Sequence, residues 1–448
     1  MRLFKLKKTV ELRPDLVNEC NQVTDKSILG KDRLKFGVGS VMYQSEETAF
    51  VPVHTVVVRA LGGADVYLGL ISAVVTSSGA LMQWVGAVLL RRFRSNKKAM
   101  RAALSAGVFF GTLLVALMLV AGIFPALRVI ICLPLYILFV FGLAGASGVQ
   151  GNIEVSWIGD LVPLSMRGWF TSMKWVISAL GVLTLMLLFG QIAQRWPYFG
   201  AYAILFLCIA LSHVLAIWLM NSVTDRIPQP VSFISSKSDV DQVNYLNPKL
   251  WNYIWFYVCW AGGRTAMLTF TTAYMLDYLN YSMGRIVLIF GLTNLINIVM
   301  LLIMGKVSDK CGTRRPLAFI SGGMGLCMVL WVSSAWLGVW PIILYQFING
   351  AAGSTHMMLS TNYGLEIFPE KGRAAYFAIA RMFIGISSMA AAVIGGMIMS
   401  RLRGWHITLW GAEFNHYHIF FLGCSLFTVG CVIPLIIEGI SKKKQNGC

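Results

Sequence analysis

Two adjacent carboxylates, Glu46 and Glu47, interrupt an apolar stretch near the start of the sequence. A helix would place one of them on a single face with residues at i, i+4, i+7 and i+11 spacing: Tyr43, Glu47, Phe50 and His54. Burial in a dry site disfavours the charged form of a carboxyl group, so such a group can bind and release a proton near neutral pH. We predict proton coupling at Glu46, Glu47 and His54. A glutamate satisfied by a neighbouring helix, or carboxylates lying near the cytoplasmic surface, are the alternatives.

A lone arginine, Arg264, occupies a second apolar stretch. Trp260 precedes it by four residues and Thr271 follows by seven, which puts all three on one helical face. A charge at the centre of a bilayer costs at least roughly 2.5 kcal/mol on insertion scales, so an ionisable residue there must face a cavity or a partner. Arg264 is therefore predicted to contact substrate or to form a structural ion pair.

Polar pairs recur at matching positions in the two halves of the sequence. Gln150 and Glu154 lie four residues apart, and His356 and Ser360 stand at the same two positions plus 206. A buried histidine in isolation is more typical of a satisfied core residue than of a proton carrier. The full substrate-binding prediction comprises Tyr43, Gln150, Glu154, Trp260, Arg264, Asn349, His356 and Ser360.

The elements that must position these residues are membrane spans. Of the 448 residues, 57% are hydrophobic and only 12% charged, whereas soluble domains carry about 25% charged residues. Windows of about 20 apolar residues predict twelve spans, near 36–60, 66–90, 99–122, 128–153, 168–192, 198–220, 250–276, 284–305, 315–337, 339–363, 373–400 and 416–438. Glycine patterns such as Gly107-x-x-x-Gly111 and Gly142-x-x-Gly145-x-x-Gly148 predict close helix packing.

A polar segment divides these spans into two sets of six. The predicted organisation is an N-terminal arm (1–35), a six-helix bundle (36–220), a linker (221–249), a second six-helix bundle (250–438) and a tail (439–448). The fold class is an all-α polytopic membrane protein with two pseudo-symmetric bundles. The first 35 residues lack the apolar core and cleavage site of a signal peptide.

The basic residues predict the orientation. Of 37 Lys and Arg, 29 fall in the arm, the linker, the tail and alternate loops on the same side. Cytoplasmic loops accumulate basic residues, so both termini are expected in the cytoplasm, with the protein in an inner or plasma membrane. Lys174 and Arg381 lie about two turns inside the membrane and are expected to reach the cytoplasmic interface.

Several function classes lack support in the sequence. The net charge of +18 is explained by the loops, so no nucleic-acid partner is expected. The nine cysteines form no metal-type spacing, and no nucleotide loop, H-E-x-x-H or G-x-S-x-G motif occurs. We expect no cofactor, no metal and no enzymatic activity. Energy for transport would come from an ion gradient.

Two loops repeat between the halves. Asp160, Pro163 and Arg167 follow the fourth span, and an acid, a proline and a basic residue recur 206 positions later at Glu366, Pro369 and Arg373. A second loop reads Gly305-Lys-Val-Ser-Asp309-Lys-Cys-Gly-Thr-Arg314-Arg315. This loop resembles the signature of the major facilitator superfamily. The first-half copy keeps its glycine at Gly86 but has Leu90 where the family has an aspartate.

The resemblance implies a transporter fold with a cytoplasmic gate. The implied gating residues are Gly305, Asp309, Arg314, Asp160, Arg167, Glu366 and Arg373, with Asp309 meeting Arg314 or Arg373. It also implies that the first and seventh spans face each other across a central cavity, where an acid and Arg264 pair or jointly hold an anionic group. The fourth and tenth spans line the same cavity.

These features together predict a secondary active transporter. It would move a small polar solute, such as a sugar, a glycoside or an organic anion, by alternating access coupled to protons, with sodium as the alternative ion. Its partners would be the solute, the ion and the lipid bilayer, with no oligomer required. Efflux of amphipathic drugs or metabolites is the main alternative. Less favoured are a membrane enzyme using Asp160, Glu366 and Glu370, and a non-transporting sensor, which Leu90 alone supports.

Overall fold

The computed structural model describes residues 23–48, 51–93, 95–196, 198–224, 247–311, 314–368, 373–409 and 411–435. Within this part of the chain nearly all residues are helical. The predicted linker lies mostly outside the described residues, as do most of the predicted arm and the whole of the predicted tail.

The described part of the first half contains seven helices: α1 (Lys26–Thr48), α2 (Val51–Ala60), α3 (Asp65–Phe93), α4 (Asn96–Ile123), α5 (Leu133–Leu161), α6 (Leu164–Arg195) and α7 (Phe199–Asn221). Short 3-10 and π turns at Pro125–Leu127 and Arg128–Cys132 lead into α5. The helix α1 begins at Lys26, ten residues before the predicted first span. Its first turns are charged, so a hydropathy window does not detect them although they are helical. The Ser95 side chain caps α4 by accepting from the backbone N–H of Lys98.

A second set of seven helices follows: α8 (Pro248–Asp277), α9 (Met283–Cys311), α10 (Arg314–Cys327), α11 (Leu330–Leu337), α12 (Trp340–Ile367), α13 (Arg373–Leu402) and α14 (His416–Val429). A short antiparallel hairpin, β1 (His406–Leu409) and β2 (Ala412–Asn415), separates α13 from α14. Its turn contains Gly411 at φ +76°, a conformation that glycine adopts without strain. Asn415 and His418 then form a capping box at the start of α14.

These helices correspond to the twelve predicted spans. The first span comprises α1 and α2, on either side of residues 49 and 50, which lie outside the described residues, and α10–α11 form one broken segment. Within the described residues, seven helical segments are long and apolar enough to cross a membrane by length and composition alone. The helix α8 is not one of them although all its residues are described. Arg264 and the hydroxyl and glycine residues around it lower its hydropathy, which indicates that α8 has a polar face.

Contacts within the chain define two compact units. The first comprises Met1–Val51 and Ser78–Val231, and the second comprises Pro52–Ser77 and Ser232–Cys448. The division differs from the predicted bundles at residues 52–77, which group with the second unit. As a result, α3 contributes its first half to the second unit and its second half to the first.

Glycines allow close helix packing inside the first unit. A Cβ at Gly107 of α4 would overlap the His213 ring of α7, and a Cβ at Gly111 would meet Ala210 at 3.1 Å. On α5, a Cβ at Gly148 would overlap the backbone of Gly79 in α3. The glycine patterns therefore mark places where helices touch through backbone and small side chains, as predicted.

Aromatic residues fill the cores of both units. In the first, Phe36 packs edge-on against Trp157 with ring centroids 5.3 Å apart. In the second, the buried Tyr274 hydroxyl lies 2.7 Å from Ser334 Oγ and 3.0 Å from His418 Nε2. Such buried hydroxyls are stabilised because they have hydrogen-bond partners.

Candidate functional site

The two helices that carry most of the predicted polar residues face each other within the second unit. The Tyr253 hydroxyl of α8 donates to the backbone carbonyl of Ser360 in α12 at 3.2 Å. Further contacts join Trp260 to His356 and Arg264 to Asn349. Residue numbers rise along α8 as they fall along α12, so the helices run antiparallel with one continuous facing seam. The structure therefore brings together four of the predicted site residues: Trp260, Arg264, Asn349 and His356.

An aromatic stack forms one wall of this seam. The Trp260 indole and the His356 imidazole are nearly parallel, at 4°, with centroids 3.6 Å apart. Phe256, one turn earlier on α8, also stacks with His356, at 5.6 Å and 17°. Two flat contacts of this kind fix the orientation of the imidazole, which is only 2% exposed.

Arg264 lies next to this stack with an amide as its partner. Its Nη2 donates to Asn349 Oδ1 at 3.2 Å, and its guanidinium carbon is 5.4 Å from the centroid of the Trp260 ring. Among the described residues, no carboxylate forms an ion pair with Arg264, and its Nε has no acceptor. Asn349 and Trp260 thus hold the guanidinium without neutralising its charge.

Further polar atoms along the seam have no hydrogen-bond partner within the described part of the chain. They are Trp260 Nε1, Tyr345 Oη and His356 Nε2. Tyr345 lies one turn before Asn349 on the same face of α12 and is fully buried, with its ring centroid 5.9 Å from that of Trp331. The sequence analysis missed Tyr345, although its i, i+4 spacing from Asn349 was a usable signal.

A glycine leaves space on this face of α12. Gly353 lies four residues after Asn349 and three before His356, on the same helical face, and a Cβ added to it would meet no heavy atom of the described residues within 4 Å. Unpartnered polar atoms next to open space are typical of a binding site, because a ligand can fill the space and complete the hydrogen bonds.

The predicted residues of the first unit are mostly satisfied by internal partners. Glu154 pairs with Lys174 and accepts from Ser40 Oγ at 2.9 Å. Gln150 Nε2 donates to the carbonyl of Ala103 at 3.1 Å, while its Oε1 has no partner among the described residues. Tyr43 is buried, with its hydroxyl 3.3 Å from Ser40 Oγ.

The expectation that Lys174 reaches the cytoplasmic interface was wrong. Its side chain is 3% exposed, is paired with the carboxylate of Glu154, and has Nζ 4.0 Å from the Trp175 ring centroid. A buried carboxylate on the neighbouring helix gives the ammonium a stronger partner than distant water. Arg381, which carried the same expectation, has its side chain outside the described residues.

The predicted proton-coupling residues are only partly described. The side chains of Glu46 and Glu47 lie outside the described residues, although their backbone belongs to α1. His54 in α2 is 3% exposed and groups with the second unit.

The predicted gating loops are also only partly described. The structure does not describe Gly305 beyond its place in a helix, or four of the side chains: Leu90, Arg167, Asp309 and Arg373. Asp160 accepts from Asn96 Nδ2 at 3.0 Å, and Glu366 is exposed. Arg314 Nε donates to the carbonyl of Leu435 at 3.0 Å, which ties the start of α10 to the end of the last span. Pairing of Asp309 with either arginine stays a prediction.

A separate charged pocket lies at one end of the second unit. Arg59 bridges Asp65 at 2.5 Å and Asp277 at 2.8 Å, and the Tyr417 hydroxyl donates to Asp277 at 3.0 Å. These four residues and others close to them in the sequence line a cavity of about 500 Å³. At its rim, burial and the nearby Glu413 carboxylate raise the pKa of Tyr278. The sequence analysis missed this network, which depends on tertiary contacts.

Comparisons with known proteins place this geometry in a family context. A family model described as Major Facilitator Superfamily matches residues 36–345. The fold is similar to that of a mutant of the nucleoside transporter NupG, with a TM-score of 0.71 and 11% identity over 91% of this chain and 99% of that chain. Among curated protein sequences, none matches this chain significantly.

Two further solved structures share the fold. A bacterial homolog of the human lysosomal transporter Spinster gives a TM-score of 0.64 at 14% identity, over 92% of this chain and 94% of that chain. A D-xylose-proton symporter gives 0.62 at 15% identity, over 90% and 95%. The chain accordingly has an all-α fold of twelve transmembrane helices in two pseudo-symmetric six-helix bundles.

Proposed function

Because the chain belongs to the Major Facilitator Superfamily, whose solved relatives here are transporters and not enzymes, we propose that this multi-pass membrane protein is a secondary active transporter for a small polar solute. A sugar, a glycoside or an organic anion is the proposed class, and the mechanism is alternating access. One observation carries the proposal: the α8–α12 seam combines Arg264, Asn349 and His356 with unfilled space at Gly353. Polar groups of this kind in membrane spans are typical of a solute site.

The polar character of the seam favours a polar solute over an amphipathic drug. An efflux site for amphipathic compounds would be lined mainly by apolar side chains that adapt their shape. Here a cation, an amide and a stacked imidazole occupy the facing positions of two helices. Each would cost free energy in an apolar complex, because its polar atoms would stay unpaired.

Proton coupling is proposed to use Glu46 or Glu47, with His54 nearby. The position of the two carboxylates in an apolar segment supports this, since each can be neutral in one state of the cycle and charged in another. The fold is shared with a protein described as a D-xylose-proton symporter. The proposed orientation places both termini in the cytoplasm, with the repeated loops at the cytoplasmic ends of the spans acting as the gate.

Flux in proteoliposomes tests the proposal. We expect uptake from a panel of radiolabelled polar solutes to rise when a pH gradient is imposed, and Glu47→Gln to abolish this response. Glu413→Gln is the matched control, because that carboxylate is exposed in the hairpin. If flux in the wild type does not depend on the pH gradient, proton coupling is refuted. If flux depends on a sodium gradient instead, sodium is the coupling ion. The absence of any solute flux would overturn the transport proposal itself.

A further inference from the structure

In the described part of the chain, no carboxylate balances the positive charge of Arg264 in the α8–α12 seam. A guanidinium offers five N–H donors, yet the one hydrogen bond that Arg264 makes within the described residues is to the amide of Asn349. A cation at membrane depth is stabilised when an anion shares its site. No described residue brings a carboxylate to this site, so an anionic group of the ligand is suited to share it with Arg264.

The unpartnered groups near Arg264 are hydrogen-bond donors that lack acceptors. Trp260 Nε1 can only donate, and the Tyr345 hydroxyl can donate towards a ligand in the same region. A neutral sugar can accept hydrogen bonds through its oxygens, but it would leave the positive charge uncompensated. An oxyanion brings both acceptors and the compensating charge, so it can accept from Arg264, Trp260 Nε1 and the Tyr345 hydroxyl.

The rest of the seam limits what can be attached to the oxyanion. The open side of Gly353 gives room beside Asn349, and the Trp260–His356 stack presents flat aromatic surface. A compact organic body with a flat or apolar face can pack there while its charged group contacts Arg264.

We propose, on the basis of the transport function proposed above, that the solute is an organic anion whose carboxylate or phosphate group binds Arg264 between α8 and α12. Asn349 positions the guanidinium, Tyr345 and Trp260 donate to the anionic oxygens, and the space at Gly353 holds part of the organic body. Tyr345 thereby becomes a substrate-binding residue that discriminates anions from neutral solutes.

Binding of small oxyanions to the purified protein tests this without requiring transport. Acetate and inorganic phosphate, each titrated at constant ionic strength against chloride, serve as probes of the two anionic groups. We expect at least one of them to raise the thermal unfolding midpoint saturably in the wild type and in Arg195→Gln, a matched control with an exposed arginine. In Arg264→Gln the affinity should fall about tenfold or more, as expected for loss of a charge-assisted hydrogen bond.

Tyr345→Phe provides a second measurement should Arg264→Gln fail to fold, and it should weaken the same titration several-fold. The inference is overturned if neither anion stabilises the wild type more than it stabilises Arg264→Gln or Tyr345→Phe. Proteoliposome flux separates this outcome from failure of the transport proposal. If a neutral sugar is transported and acetate or phosphate does not affect its flux, the anionic solute is refuted while the transport function stands. If an anion binds but no solute is transported, the transport function is refuted while the anion site stands.

Discussion

Neutralising Glu154 tests whether its pairing with Lys174 is a structural necessity. Both side chains are 3% exposed, and breaking a buried ion pair by removing one partner costs about 3–5 kcal/mol. Glu154→Gln retains an oxygen for the Ser40 hydroxyl, and the Trp175 ring, 4.0 Å from the Lys174 ammonium, offsets up to about 1 kcal/mol. We therefore expect Glu154→Gln to destabilise the protein by about 2–4 kcal/mol.

The assay is a double-mutant cycle in which the stability of each purified variant in detergent is measured by thermal unfolding. Lys174→Met alone should also destabilise, because it leaves the carboxylate buried without its cation. Replacing both partners removes both charges, so the double variant Glu154→Gln/Lys174→Met should lie within about 1 kcal/mol of the wild type. The coupling energy between the two sites should accordingly be large and stabilising.

Two results would refute this reasoning. If Glu154→Gln were as stable as the wild type, the carboxylate would not be needed to neutralise Lys174. If the double variant were stable but had lost transport, the pair would act in transport, in line with the sequence-based prediction that Glu154 binds the solute. Wild-type flux in a stable double variant would instead assign the pair to the architecture of the first unit.

Two further predictions concern glycines in the helical segments. Gly148→Ala should destabilise the protein by about 1–3 kcal/mol, because its Cβ would overlap the backbone of α3. Gly151→Ala on the same helix is the control: the described residues leave space for its Cβ, so it should be neutral or stabilising in the same thermal assay. Gly353→Leu should fill the space on α12 and lower solute flux and anion binding with little change in the unfolding midpoint; unchanged flux and binding would show that the space is not used by the solute.

Much of the fold follows from hydropathy and spacing in the sequence. Runs of apolar residues predict the helices because a lipid environment requires them to satisfy their own backbone hydrogen bonds. The start of α1 at Lys26 was missed because a charged helix turn carries no hydropathy signal. The hairpin at residues 406–415 was missed for a related reason, since its strands are four residues each and lie between spans.

Side-chain partners were harder to predict. Trp260, Arg264, Asn349 and His356 were found because polar residues in apolar segments stand out individually. The pairing of Glu154 with a lysine on another helix depends on the register and rotation of two helices, which one sequence does not reveal. The ion pairs of Arg59 depend in the same way on tertiary contacts.

The division of α3 between the two units has a mechanical consequence. Near its start, a Cβ at Gly69 would overlap the carbonyl of Ala392 in α13, whereas Gly79 packs against α5. The change of partner falls between Ser77 and Ser78, in the middle of a single unbroken helix. The chain therefore passes from one unit into the other through the continuous hydrogen-bonded backbone of a helix and not through a loop.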